Sequence, residues 1–163
     1  MKRLGLISAM FAATMMIGMT FSGCKKDKDN EKGHIELAGK NWSLHVATLS
    51  TSSATFNWND LELRSDPGGN NSIKFELSGS MEDGLPAGSY TTEEKNGIKI
   101  NHASLSVERN IGLGNQLNDL LLVVKKSGND YEITVTGKTQ VKNEDVDFKV
   151  VYKGKIEVTK KIG

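Results

Sequence analysis

Few residues in this chain are of a type that does chemistry: one cysteine (Cys24), three histidines (His34, His45, His102) and scattered carboxylates. A single thiol excludes an internal disulfide and a thiolate metal cage. No histidine has a second histidine or a cysteine at ligand spacing, so no metal site is predicted. His45 shares a strand face with Ser43 and Ala47, opposite Trp42, Leu44 and Val46, which predicts that it points to solvent. Asp27-x-Asp29-x-Glu31 opens like a calcium loop, but Lys32 stands where glycine is required and Ala38 where the bidentate acid belongs. Asn143, Asp145 and Asp147 fail likewise at Phe148, and Gly112-x-Gly114 lacks the third glycine of a dinucleotide loop because Leu117 occupies it. There is no glycine-flanked serine and no HExxH. Neighbouring carboxylates such as Asp60 and Glu62, or Glu93 and Glu94, are expected on any β surface when 25% of the chain is charged. Catalytic use would need a cleft and perturbed pKa values. The residues therefore predict no catalytic group, no cofactor and no enzyme, with a hydrolase as the remote alternative.

Cys24 is better understood from what precedes it. A basic start (Lys2, Arg3) leads into an apolar run from Leu4 to Met19, then Phe21-Ser22-Gly23. That is the layout of a secretory signal peptide. A membrane-spanning helix needs about 20 predominantly apolar residues, and this run is shorter and diluted by Gly5, Ser8, Thr14 and Gly18. A helix at the surface of a folded domain would show a polar face, which is missing. Met1, Met10, Met15, Met16 and Met19 all precede Cys24, leaving Met81 alone after it. With a cysteine directly after the small residues, the segment resembles a bacterial lipoprotein signal of the signal peptidase II type. The resemblance implies that the Cys24 thiol takes a diacylglyceryl group, that cleavage falls before it, and that the new amino terminus is acylated with palmitate-class chains. It places the mature chain on the outer membrane of a Gram-negative cell, on the periplasmic or the cell-surface side, with the membrane as its partner through Cys24.

Three segments follow: residues 1–23 as signal peptide, 24–33 as lipidated tether and 34–163 as one β domain. Losing Lys2 and Arg3 from 21 basic and 20 acidic residues leaves 19 against 20, a net charge of −1. That balance argues against a nucleic-acid partner, which calls for a basic face. The stretch from Lys25 to Gly33 has no apolar residue to bury. As a flexible coil it reaches roughly 15–18 Å. Surface lipoproteins of the Bacteroidota resemble it in carrying charge just after the cysteine, although theirs is acid-rich and here Lys25 and Lys26 come first.

From Ile35 onward, period-two alternation predicts strands at Trp42–Val46, Thr55–Leu63, Ile73–Leu77, Ile98–Ile100 and Leu105–Val107. It predicts others at Leu120–Lys125, Tyr131–Val135, Val146–Val150 and Lys155–Thr159. Turn clusters between them, with 17 glycines in the chain, predict an all-β antiparallel sandwich or small barrel of about eight to ten strands. Gly112–Asp119 is too polar for a strand and is expected to form a loop or one helical turn. Ser127-Gly128-Asn129-Asp130 predicts a hairpin in which Leu120, Leu122 and Val124 meet Tyr131, Ile133 and Val135.

Eight aromatics follow Cys24. Trp42, with Leu44 and Val46, is expected in the core, as are Phe56 and Trp58, because large aromatics dominate the burial a small sandwich needs. Were Trp58 exposed instead, its indole would suit a sugar ring. Leu85-Pro86-Ala87-Gly88-Ser89-Tyr90-Thr91 resembles a segment recurring in small secreted lipoproteins of Bacteroides. Tyr131–Gly137 with Tyr152-Lys153-Gly154-Lys155 resembles the ending of the same group. This resemblance implies a fold and carries no site residue. The expected function is a lipid-anchored envelope accessory module for a glycan or peptide ligand. The alternative is a structural or adhesin-type subunit working by protein contact.

Two or three acyl chains hold a protein on a bilayer where one is marginal. Metabolic labelling with a fatty-acid analogue is expected to tag the wild type and not Cys24→Ala. Continued labelling and membrane sedimentation of the variant would refute the anchor.

Overall fold

The computed structural model describes residues 32–52, 58–66, 70–81, 83–95, 97–108 and 113–160. Cys24, the signal segment, the acids of the tether and Phe56 lie outside them. The described residues form a two-sheet β-sandwich with no helix and no closed barrel. Eleven strands appear in order: β1 (Gly33–Leu37), β2 (Lys40–Leu44), β3 (Val46–Thr51), β4 (Trp58–Arg64), β5 (Ser72–Ser78) and β6 (Gly88–Tyr90). They continue as β7 (Lys99–Ser106), β8 (Leu113–Ser127), β9 (Asp130–Val141), β10 (Glu144–Gly154) and β11 (Glu157–Lys160). Sheet A runs β2-β1-β10-β9-β8-β6, and sheet B runs β11-β3-β4-β5-β7. All pairs are antiparallel except β11 with β3.

The two inner faces come from alternation. Ile35, Leu122, Val124, Ile133, Val135, Val150 and Tyr152 of sheet A face Leu49, Leu61, Leu63, Ile73, Phe75 and Leu77 of sheet B in one core. The long β8–β9–β10 meander is tied by two-residue turns. Lys142 and Asn143 both have positive φ, the geometry whose twist matches paired strands, and Gly128 at φ +60 begins the other. Gly137 has a different task. Phe148 lies opposite it in register, and a Cβ there would stand 2.9 Å from the Phe148 ring. The ring covers the glycine backbone and pairs across the strands where no second side chain fits.

Three expectations change. Trp42–Val46 is not one strand: the chain leaves sheet A at His45 and enters sheet B, so Ala47 is buried and Val46 half-buried. One residue at a crossover flips every later side chain to the other face, and the predicted face shared by His45 and Ala47 is lost. Gly112–Asp119 is neither loop nor helix beyond its first residue, since Leu113–Ser127 is one strand. Pairing with β9 overrides its weak propensity, and register shifts at Leu113/Leu117 and Asn118/Leu121, with Asp119 at φ +52, absorb the misfit. Ile98–Ile100 and Leu105–Val107 fall largely within the single strand β7, where a bulge opposite Glu76/Leu77 leaves both Asn101 and His102 outward.

Both routes from β2 to β3 and from β10 to β11 pass one corner, and Tyr152 sits inside it, fully buried. Its hydroxyl donates to the Lys155 carbonyl at 2.9 Å, and the Ala47 backbone hydrogen-bonds the same oxygen from sheet B. Tyr90, on the edge strand β6, donates to the Pro86 carbonyl at 2.6 Å and closes the Leu85–Tyr90 turn in the same way.

Burial raises the pKa of both hydroxyls, the Ala47 bond only partly offsetting this at Tyr152. A raised folded-state pKa leaves this stability whole below the ordinary tyrosine value of about 10; above it the unfolded chain ionises first and stability falls. Tyr152→Phe is expected to cost about 1–3 kcal/mol at pH 7 through the abandoned Lys155 and Ala47 groups. It should also flatten the decline above pH ~10. Urea midpoints across that range measure both effects, and an alkaline slope equal to wild type would count against this account.

Candidate functional site

The largest exposed side chain is one the sequence places in the core. Trp58 is 58% exposed on the outer face of sheet B. Its backbone is held on both sides, its N–H donating to Ser52 Oγ at 2.9 Å while the Ser52 N–H donates to its carbonyl at 3.2 Å. The reason for its exposure lies in the parity of β4. Asn59, Leu61 and Leu63 point inward, so Trp58, Asp60, Glu62 and Arg64 must point outward. Asn59 takes the inward place at the strand's start and meets its polar requirement there, Nδ2 donating to the Gly79 carbonyl at 2.8 Å. Alternation anchored on Leu61 and Leu63 was the signal that could have found this; the size of the indole outweighed it. Trp42, by contrast, is core as expected, 9% exposed, with Nε1 donating to Glu108 Oε1 at 2.9 Å.

Polar groups surround the indole. Ser78 pairs with Trp58 across β4–β5, and Lys99 follows on β7. Two residues along, Ser50, Asp60, Glu76 and His102 form one cross-strand row, extended by Thr159 on β11, whose hydroxyl bonds Ser50 at 3.0 Å. Asp60 pairs with Lys74 at 3.5 Å, and Glu62 with Arg64 at 3.6 Å. The neighbouring acids Asp60 and Glu62 are therefore each engaged by a cation on a flat face. Glu93 and Glu94 are exposed in a turn.

The histidines do not converge. His34 lies on β1 of sheet A, His45 at the crossover with its N–H donating to the Arg64 carbonyl, and His102 on β7 opposite Glu76. Among the described residues no three of His, Cys, Asp and Glu are placed to hold a metal.

Among the described residues, open clefts lie away from Trp58. One of about 640 Å³ lies between Glu36, Asp119, Lys138, Phe148 and Lys149. There Asp119 accepts from Lys138 at 3.1 Å, and that bond, with Asp147 nearby, holds the amine above the usual lysine range. Another, of about 490 Å³, lies at the crossover end between Tyr131, Lys126, Lys155, Ile156 and the 47%-exposed Val158. Lys126 Nζ stands 5.3 Å from the Tyr131 ring centroid, at cation–π distance.

The outward indole sets two tryptophans in contrast. Trp58→Ala is expected to change folding stability by no more than about 0.5 kcal/mol, as exposed substitutions do. Trp42→Ala should cost about 3–5 kcal/mol. Denaturant melts decide it, and a Trp58→Ala loss as large as that of Trp42→Ala would return Trp58 to the core. No family model, no curated protein and no solved structure matches this chain.

Proposed function

We propose that this chain is a lipid-anchored binding module of the cell envelope that captures a glycan on the outer face of sheet B, around Trp58. One observation carries the reading: a rigid, flat apolar ring is held outward in a field of hydroxyls and charged groups. Leaving an indole in water forgoes burial worth several kcal/mol in a small domain. A sugar ring offers the complementary surface, C–H groups for the indole and hydroxyls for the polar rim.

The anchor suits this placement. Lys32 joins the sheet where its N–H donates to the Leu44 carbonyl and its carbonyl accepts from Lys153. The tether therefore meets the domain at the crossover end. Trp58 faces Ser52, beyond the far end of β3, about 20 Å along the strand. Acyl chains on Cys24 would hold the crossover end towards the membrane and leave Trp58 on the remote side. A glycan suits the site better than a peptide because the group presented is a flat ring face set among hydroxyls and charged groups.

A second reading is favoured by a separate surface. Leu121 is 38% exposed on the outer face of sheet A, with half-buried Val123 next along β8 and Val151 across Thr134 from it. That strip would serve a subunit acting by protein contact.

The mature acylated chain in a zwitterionic detergent, titrated with a panel of oligosaccharides, is expected to show a tryptophan fluorescence change that Trp58→Ala abolishes while the variant stays folded. Binding undiminished in Trp58→Ala would defeat this reading. Loss of assembly in Leu121→Lys, with no glycan response from wild type, would favour the second.

A further inference from the structure

We infer that the ligand of the Trp58 face is an uncharged pyranose chain of at least two rings, laid along β4 from Trp58 towards Asp60. This rests on the glycan reading above and specifies its ligand.

The length follows from spacing. Trp58 is the stacking group; its own row offers Ser78 and, one strand further, Lys99, while the carboxylates Asp60 and Glu76 stand with Ser50 in the next row, two residues along. Two residues of strand span about 7 Å, and neighbouring strands lie about 5 Å apart. Exocyclic hydroxyls of a ring centred over the indole only graze that row. The next ring of a chain lies above it, within reach of both carboxylates. A lone sugar would stack and leave them unused.

The charge follows from composition of the site. Asp60 and Glu76 accept hydrogen bonds, Lys74 and Lys99 donate them, and Ser50 and Ser78 do both. Asp60 and Glu76 against Lys74 leave one net negative charge within one strand spacing of the path, since Lys99 stands on β7, two strands from β4. Asp60 already engages Lys74 at 3.5 Å, while Glu76 has no ion pair among the described residues. A uronate or sulfate would meet Glu76 at close range and find Lys74 occupied. A neutral sugar hydroxyl donates to Glu76 without repulsion and exchanges hydrogen bonds with Ser50 and Ser78, and charge-assisted hydrogen bonds are the stronger ones.

The test uses the mature acylated chain in zwitterionic detergent with glucose, cellotetraose, mannotetraose and tetragalacturonate, read by tryptophan fluorescence and calorimetry. At least one neutral tetrasaccharide should bind about tenfold tighter than glucose and than tetragalacturonate, consistent with one added or one repelled polar contact. Its affinity should vary less than about twofold between low and high salt, because screening acts only where net charges meet. Glu76→Gln should weaken it about tenfold, and Trp58→Phe should retain much of what Trp58→Ala loses. Glucose binding as tightly as the tetrasaccharides would overturn the length. Tetragalacturonate binding as tightly, or affinity that falls steeply with salt, would overturn the charge assignment. In both cases, loss in Trp58→Ala would leave the glycan reading standing. No response from any of the four sugars would overturn both.

Discussion

The hydroxyl of Tyr152 is the point at which the two sheets become one structure. A sandwich brings apolar faces together without direction, since burial is proportional to area and indifferent to angle. Directional bonds must set where one sheet ends and the other begins. Tyr152 supplies two of them, to Lys155 on the way out of sheet A and to Ala47 on the way into sheet B. Its ring is fully buried against the core. Both crossovers and the entry of the tether at Lys32 meet around this side chain. At the far edges similar ties recur: Tyr90 to Pro86, and Trp42 on β2 to Glu108 beyond the end of β7.

Fixing the corner fixes the phase of every strand that leaves it. Sheet B enters with Ala47 inward, so Leu49 and Thr51 follow inward, and their partners Leu61 and Asn59 are committed too. Trp58 then has no inward place to occupy. Its exposure is thus enforced by register and not by its own chemistry, and the domain tolerates it because Asn59 can meet its hydrogen-bonding need from the Gly79 carbonyl. The face so produced sets one exposed ring among hydroxyls and charges of both signs, whereas the outer face of sheet A bears Leu121, Val123 and Val151 among its charges. Among the described residues the two outer surfaces of the sandwich differ in chemistry, with the exposed indole of Trp58 on sheet B.

Much of this was legible in the residues. Alternation at Ile73–Leu77, Tyr131–Val135 and Val146–Val150 defined strands and inward faces that the structure keeps, and the Ser127–Asp130 turn placed Leu122 and Val124 opposite Val135 and Ile133. These succeed because a two-residue period is local: each residue needs only its neighbours to declare its side. What failed was non-local. Gly112–Asp119 looked unfit for a strand because its partner, β9, was not in view, and Trp42–Val46 looked continuous because nothing in five residues announces a change of sheet.

By itself, then, the sequence determined the all-β class, the antiparallel meander, the turn positions and a lone thiol set behind a signal-like segment. Tertiary structure alone decided where the chain changes sheets, which strands neighbour one another, and on which side Trp58 lies. The division has a physical cause. Backbone sterics and side-chain alternation act over a few residues and are written in them. Register across sheets depends on pairing between segments far apart in the chain, such as β3 with β4 and with β11, and that pairing sets which face a tryptophan presents to water.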